Sequence, residues 1–206
     1  MMEIQVKKCI QIRPGKVWLN GKAALTSTGK GDARDFLTRV YQWLEADYRK
    51  FFKMDLLSKL GWLASEWLME ESDPEQPKED AGIVFFNSFS SLDSDSRFQE
   101  TIQRREAYFP SPAGFVYTLP NIVTGEVAIR HRIRGETAFY VLPRPDYRWM
   151  AAILSDTMAS AGLHCLLAGW LEAYDELLDA RLMLCRDGGD GLCPLNARNM
   201  EHLFIN

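Results

Sequence analysis

Few side chains in this 206-residue chain could do covalent chemistry, and each sits in a readable context. There are four thiols, Cys9, Cys165, Cys185 and Cys193. A nucleophilic cysteine works as a thiolate, which needs a helix N-terminus or a neighbouring cation. Cys165 lies instead within the apolar run Leu163–Ala168, so burial is the expectation. His164 beside it would point to the other face of a strand and could not pair with it. No CxxC or HxxxH spacing occurs, so neither a metal site nor a cofactor is expected. Ser88, Ser90, Ser91 and Asp93 form a polar cluster after an apolar run. Such a loop is where α/β sheets bind ligands, and the same residue types also serve turns and helix caps. Arg130, His131, Arg132 and Arg134 make a basic cluster. It suits either the C-terminal end of a helix dipole or the docking of an acidic partner. Arg144 stands between Pro143 and Pro145, where two backbone donors are missing.

Bulk composition narrows the field. The chain is 47% hydrophobic and 25% charged, with a formal net charge of −4. One sizeable core is expected, in a single domain over 1–206. A general nucleic-acid binder would carry a basic excess, and this chain does not. Its apolar runs are shorter than the ~20 residues of a membrane span. The N-terminus alternates apolar and charged residues and lacks the long apolar core of a signal peptide. A cytoplasmic protein with reduced, buried thiols is the expectation.

The elements that must position these groups follow from hydrophobic period. Glu3 to Ile12 alternates as a strand, Pro14-Gly15 turns, and Val17 to Leu19 pairs back. Asp32 or Asp35 caps a helix with Phe36, Leu37, Val40, Tyr41, Leu44 and Tyr48 on one face. Asp55 caps a second helix running to Leu68. The segment 70–80 reads as an acidic loop. Gly82 to Phe86 is a continuously apolar strand of the kind covered on both faces. A short helix through Phe98 and Ile102 follows, and Pro110-Ser111-Pro112 reads as a rigid loop. Asn121 caps a central helix with Ile122, Gly125, Ile129 and Ile133 inward, Glu126 and Arg130 outward, and Gly135 as its end. Thr137 to Leu142 is a strand. A helix spans about 146–160, Leu163 to Ala168 is a strand, 171–178 is helical, and Ala180 to Cys185 is a strand. Asp187 to Gly191 is a turn, and the last eleven residues carry no assignment. The alternation predicts an α/β protein with a mixed or mostly parallel sheet between helix layers.

The segment Leu119 to Arg144, LPNIVTGEVAIRHRIRGETAFYVLPR, resembles the part of the β-ketoacyl-(acyl carrier protein) synthases, thiolase superfamily, that leads to their catalytic cysteine. The likeness is clearest at Ser111-Pro112, Leu119-Pro120-Asn121, Gly125, Ala128-Ile129 and Arg134-Gly135. Looser matches lie at Tyr48 to Trp67, Gly82 to Leu92 and Leu163 to Glu172. The resemblance implies a single, truncated N-terminal ketosynthase half with a thiolase-like mixed sheet between helix layers. It places the family's nucleophile at or near Arg144, where no cysteine stands. His131, His164 and His202 match none of the family's histidine contexts. The resemblance therefore implies a non-catalytic partner subunit in fatty acid, polyene or polyketide biosynthesis. It implies a homodimer, or a heterodimer with a full-length ketosynthase, through Thr137, Ala138, Phe139, Tyr140, Val141 and Leu142. Arg130, Arg132 and Arg134 become the candidate docking point for an acyl carrier protein. Two other readings stand beside it. One is an active acyltransferase of the same superfamily with a relocated nucleophile. The other is an acyl-chain binding module, suggested by six Trp, eleven Phe and eight Met.

Overall fold

The computed structural model describes residues 3–29, 31–69 and 78–205. Most of the segment expected to be an acidic loop, 70–77, lies outside the described residues. The N-terminal alternation folds as expected. β1 (Ile4–Arg13) turns back into β2 (Lys16–Leu19), and β3 (Lys22–Thr26) continues the meander. Asp32 caps α1 (Ala33–Trp43) through a reciprocal box with Asp35. Tyr48, assigned to that helix face, lies beyond its end. Asp55 caps α2 (Leu56–Leu68) by accepting from the Ser58 amide.

β4 (Ala81–Asn87) is buried at every residue, as its unbroken apolar run requires. α3 (Leu92–Ile102) follows. The expected rigid loop at Pro110-Ser111-Pro112 is instead a helix start, with Ser111 capping α4 (Pro112–Val116) and Pro112 in its first turn. α5 (Ile122–His131) ends earlier than expected. Arg132 takes a left-handed conformation, and the Ile133 amide returns to the Ala128 carbonyl.

Gly135 therefore does not close α5. Its amide donates to the Ala81 carbonyl, and a Cβ there would sit 2.4 Å from that oxygen. The inner face of α5 is also rotated from the expected one. Val123, Thr124, Glu126 and Val127 are buried, while Ile129 is 64% exposed. Glu126 turns inward because Lys50 Nζ and the Tyr117 hydroxyl meet its two carboxylate oxygens, at 2.7 and 3.1 Å.

β5 (Thr137–Val141) stops one residue short of Leu142, and Asp146 caps α6 (Tyr147–Ser160). β6 (Cys165–Tyr174) and β7 (Leu177–Asp187) form a long hairpin. The helix expected over 171–178 is absent, because ten β6–β7 residue pairs run to Tyr174–Leu177 and leave only a two-residue turn. β8 (Cys193–Pro194) pairs with β1, and the unassigned C-terminus is α7 (Ala197–Ile205).

The sheet order is β3-β2-β1-β7-β6-β4-β5, with β8 beside β1. β4 runs parallel to both β5 and β6, and every other ladder is antiparallel. The sheet is thus mixed, with a parallel block at one side. One face packs on α1, α2 and α5 through Leu37, Leu60, Leu63 and Val123. The other packs on α6 and α7 through Met150, Leu154, Met200 and Phe204. Aromatic side chains fill the first layer, where Tyr41 stacks on Phe51 at 4.4 Å and Tyr48 on Trp62 at 5.3 Å.

Gly169, in mid-β6, adopts φ +143°, and a Cβ there would lie 2.1 Å from the Arg181 carbonyl oxygen of β7. Gly169→Ala is expected to cost about 2 kcal/mol or more, read as a lower urea midpoint at unchanged slope. An unchanged midpoint would mean that β7 moves aside freely.

Candidate functional site

The C-terminal ends of the parallel strands are the expected place for chemistry in an α/β sheet. Here the protein's own carboxylates tie the loops to one another. Leaving β4, the Asn87 side chain brackets Ser90, donating to its carbonyl at 2.8 Å and accepting from its amide at 3.0 Å. Glu172, near the end of β6 and 3% exposed, accepts from the Ser88 amide (2.8 Å), the Ser88 hydroxyl (2.6 Å) and the Phe89 amide (3.1 Å). Charge-assisted bonds of this kind are the strong ones. Ser91 donates to the Thr118 carbonyl, fastening the α4 segment to the same turn. Asp93 accepts from Arg34 and Arg97 and from the Asp175 amide in the β6–β7 turn. Ser94 donates to Asp55, whose carboxyl is pushed up chiefly by burial. The serine-rich cluster is thus a set of struts. Glu172 and Asp175 escaped the sequence reading because their partners lie about eighty residues away. The one available signal was a carboxylate inside the apolar run of β6.

Beyond β5, the Leu142 amide donates to the Asn87 carbonyl at 2.7 Å, and Pro143 and Arg144 are exposed. The first amides of α6 are engaged by Asp146, which accepts from Arg148 and Trp149 at 3.1 and 3.0 Å. A helix N-terminus of this sort would otherwise lower a cysteine's pKa or hold an oxyanion. Here a carboxylate occupies it, and an exposed guanidinium stands two residues before.

The thiols lie elsewhere, and all four are free. Burial pushes each of them up, and for Cys165 the Arg186 guanidinium offsets this only in part. Cys165 is at the start of β6, seven positions before Glu172, which is roughly 23 Å at about 3.3 Å per residue. His164 points away from it into solvent, with Nδ1 2.6 Å from Asp187. His131 contacts Ser65 and Glu66 at 2.8 and 3.3 Å. His202 lies on α7. Among the described residues no group of three or more His, Cys, Asp or Glu side chains could hold a metal.

The basic cluster divides. Arg130 makes a bidentate pair with Glu66, at 2.8 and 2.7 Å, and its guanidinium lies over Tyr48 and Trp62. Arg132 and Arg134 are exposed at the end of α5, Arg134 lying 3.3 Å from Glu79. This end of α5 adjoins the start of β4, since the Arg134 amide donates to Lys78. It is therefore at the opposite end of the sheet from Arg144.

β5 itself is an edge. The Glu136 carbonyl and the Leu142 amide both face β4. Since both backbone groups of one residue point the same way across a strand, Thr137, Phe139 and Val141 present theirs outward. Side chains alternate as well. Phe139 packs toward the α2 layer, Ala138 and Tyr140 toward α6, and Tyr140 stacks on Phe86 at 5.3 Å. Leu142, grouped with this strand from the sequence, faces inward past its end.

No protein-family model and no curated protein matches the sequence. Solved structures do match its fold. A chain of the ishigamide ketosynthase/chain length factor superposes with a TM-score of 0.65 at 15% identity, over 90% of this chain and 62% of that one. A chain from the complex of the ketosynthase ApeO with its chain length factor ApeC, from Xenorhabdus doucetiae, gives 0.58 at 13%, over 99% and 91%. A chain from the AntDE:AntF complex, a type II polyketide synthase acyl-carrier protein with its ketosynthase bound to the hexaketide, gives 0.56 at 13%, over 91% and 63%. The chain has the thiolase-like fold of these ketosynthases and spans about three fifths of the length of the first of them. Among the described residues no helix is long and apolar enough to cross a membrane.

Glu172→Ala leaves two part-buried amides without their acceptor and is expected to cost about 2 kcal/mol, with Glu172→Gln costing less. Urea titration measures both, and an equal loss would remove the charge from the account. His131 is held low, at about 3, by burial first and then by Arg130 and Lys78. Its unfolded value is about 6.5, so the stability it carries is present above pH 6.5 and is lost as pH falls toward 3. The slope is about 1.4 kcal/mol per pH unit, and His131→Gln should flatten it in urea titrations between pH 7 and 4.

Proposed function

We propose that this chain is a ketosynthase-like partner subunit without thioester chemistry of its own. It associates through the outer edge of β5 with a full-length ketosynthase, or with a second copy of itself, in fatty acid, polyene or polyketide assembly. The observation that carries this reading is one strand. Among the described residues β5, with the sequence Thr-Ala-Phe-Tyr-Val, is a sheet edge paired on one side only, and it runs into Pro143-Arg144-Pro145-Asp146, which contains no cysteine.

An exposed edge without charges is a template for pairing with another chain. The sheet's other edge, β3, carries Lys22 at its tip and a register shift in its ladder, both of which discourage pairing. Two β5 strands meeting antiparallel about a two-fold axis would join two sheets and satisfy the outward groups of Thr137, Phe139 and Val141. Support comes from the fold matches, which include chains from ketosynthase–chain length factor complexes. The second of those is matched over 91% of its length, so it is a chain of nearly this size. A carrier protein, acidic in the usual case, would engage the exposed guanidinium groups of Arg132 and Arg134 at the far end of α5.

Val141 is 52% exposed, so Val141→Asp should leave the melting temperature unchanged. It should weaken association at least tenfold, about 1.4 kcal/mol. Sedimentation of the chain alone, and mixed with a ketosynthase from the same cell, measures this. A monomer in both solutions would overturn the proposal.

A further inference from the structure

The N-terminal ends of the parallel strands, away from β5's outgoing end, are open. On the α2 side a cleft of about 500 Å³ is lined by Lys7, Lys78, Asp80, Cys165, Arg186 and Asp187, among others. On the α6 side a groove of about 320 Å³ is lined mainly by Ile4, Met158, Ala159, Gly162 and Leu163. His164 and Asp187 belong to the walls of both, so the two spaces adjoin across the end of the sheet.

Charge in the cleft is unbalanced. Asp187 is taken by His164, which is 64% exposed and 2.6 Å away. Lys7 donates to the Gly188 and Asp190 carbonyls, which fixes its ammonium at the rim without neutralising it. Arg186 lies opposite Cys165 in the β6–β7 ladder and bonds its thiol. Among the described residues neither Lys78 nor Arg186 forms an ion pair. Among the described residues three cations therefore face one uncommitted carboxylate, Asp80. The groove beyond offers methionine, leucine and isoleucine surface and, in Ala159 and Gly162, little side-chain bulk.

We infer that this end of the sheet is a binding site for a small anionic amphiphile. Its carboxylate or phosphate head lies at Lys78 and Arg186, and its short apolar tail crosses the His164–Asp187 pair into the groove beside Met158 and Leu163. A head group without a tail leaves the groove unused, and a tail without a head leaves the cations unmatched. The site is separate from the proposed partner edge and stands or falls without it.

Octanoate and octyl phosphate are the probes, with inorganic phosphate and octanol as their halves, read by calorimetry and by amide shifts at 164–165 and 186–189. Both amphiphiles should bind, each at least tenfold more tightly than its halves, and the tighter of the two identifies the head group. Arg186→Gln should weaken both at least tenfold, and Lys78→Gln should act in the same direction. Ala159→Trp, which fills the groove, should weaken both amphiphiles and leave inorganic phosphate unchanged. Val141→Asp should not alter binding. Three results would each overturn the inference. They are octanol binding as well as octanoate, inorganic phosphate binding as well as octyl phosphate, and octanoate binding indifferent to Arg186→Gln in a variant with a native amide spectrum.

Discussion

Every residue of β4 is buried, and both its edges are paired in parallel, to β5 and to β6. A strand in that position cannot face water on any side, so helices must cover both faces of the sheet. That single requirement organises the molecule. It draws α2 and α5 onto one face and α6 onto the other, and it sends the chain across the sheet between successive parallel strands. It also brings the start of β4 so near Gly135 that a side chain there would meet the Ala81 carbonyl.

The two ends of this parallel block have opposite chemistry. At the C-terminal end, carboxylates tie the loops to one another. Glu172 gathers three donors from one turn, Asp93 joins α1, α3 and the β6–β7 turn, and Asp146 takes the first amides of α6. At the N-terminal end, Lys78 and Arg186 border an open cleft. There, the polar groups left over face outward to solvent.

The sheet's two lateral edges differ for a related reason. β3 is mostly exposed, with a lysine at its tip and a displaced register in its ladder. β5 has no charged residue and pairs with β4 along its whole length. An edge of that kind is costly to leave in water unless something covers it.

Much of the local structure was legible in the sequence. The apolar run of β4, the caps at Asp32 and Asp55 and the turn at Pro14-Gly15 all depend on neighbours a few residues apart. The alternation of such elements pointed to an α/β protein, and the resemblance of Leu119 to Arg144 to the ketosynthases implied the thiolase-like fold. What the sequence could not determine was anything settled by partners distant in the chain. Local period placed Ile129 inward and Glu126 outward. Lys50 and Tyr117, together with the buried face supplied by α2, reversed that. The segment after Leu171 looked helical because its apolar residues fit either period, and only the β7 ladder made it a strand. The serines after β4 looked like a solvated turn until Glu172 arrived from the next parallel strand. The Lys78–Arg186 cleft has no sequence signal at all, because its walls come from the starts of separate strands. Residue type and spacing decide which elements form. Which polar groups meet depends on the tertiary structure, since each partner is brought in by packing elsewhere in the core.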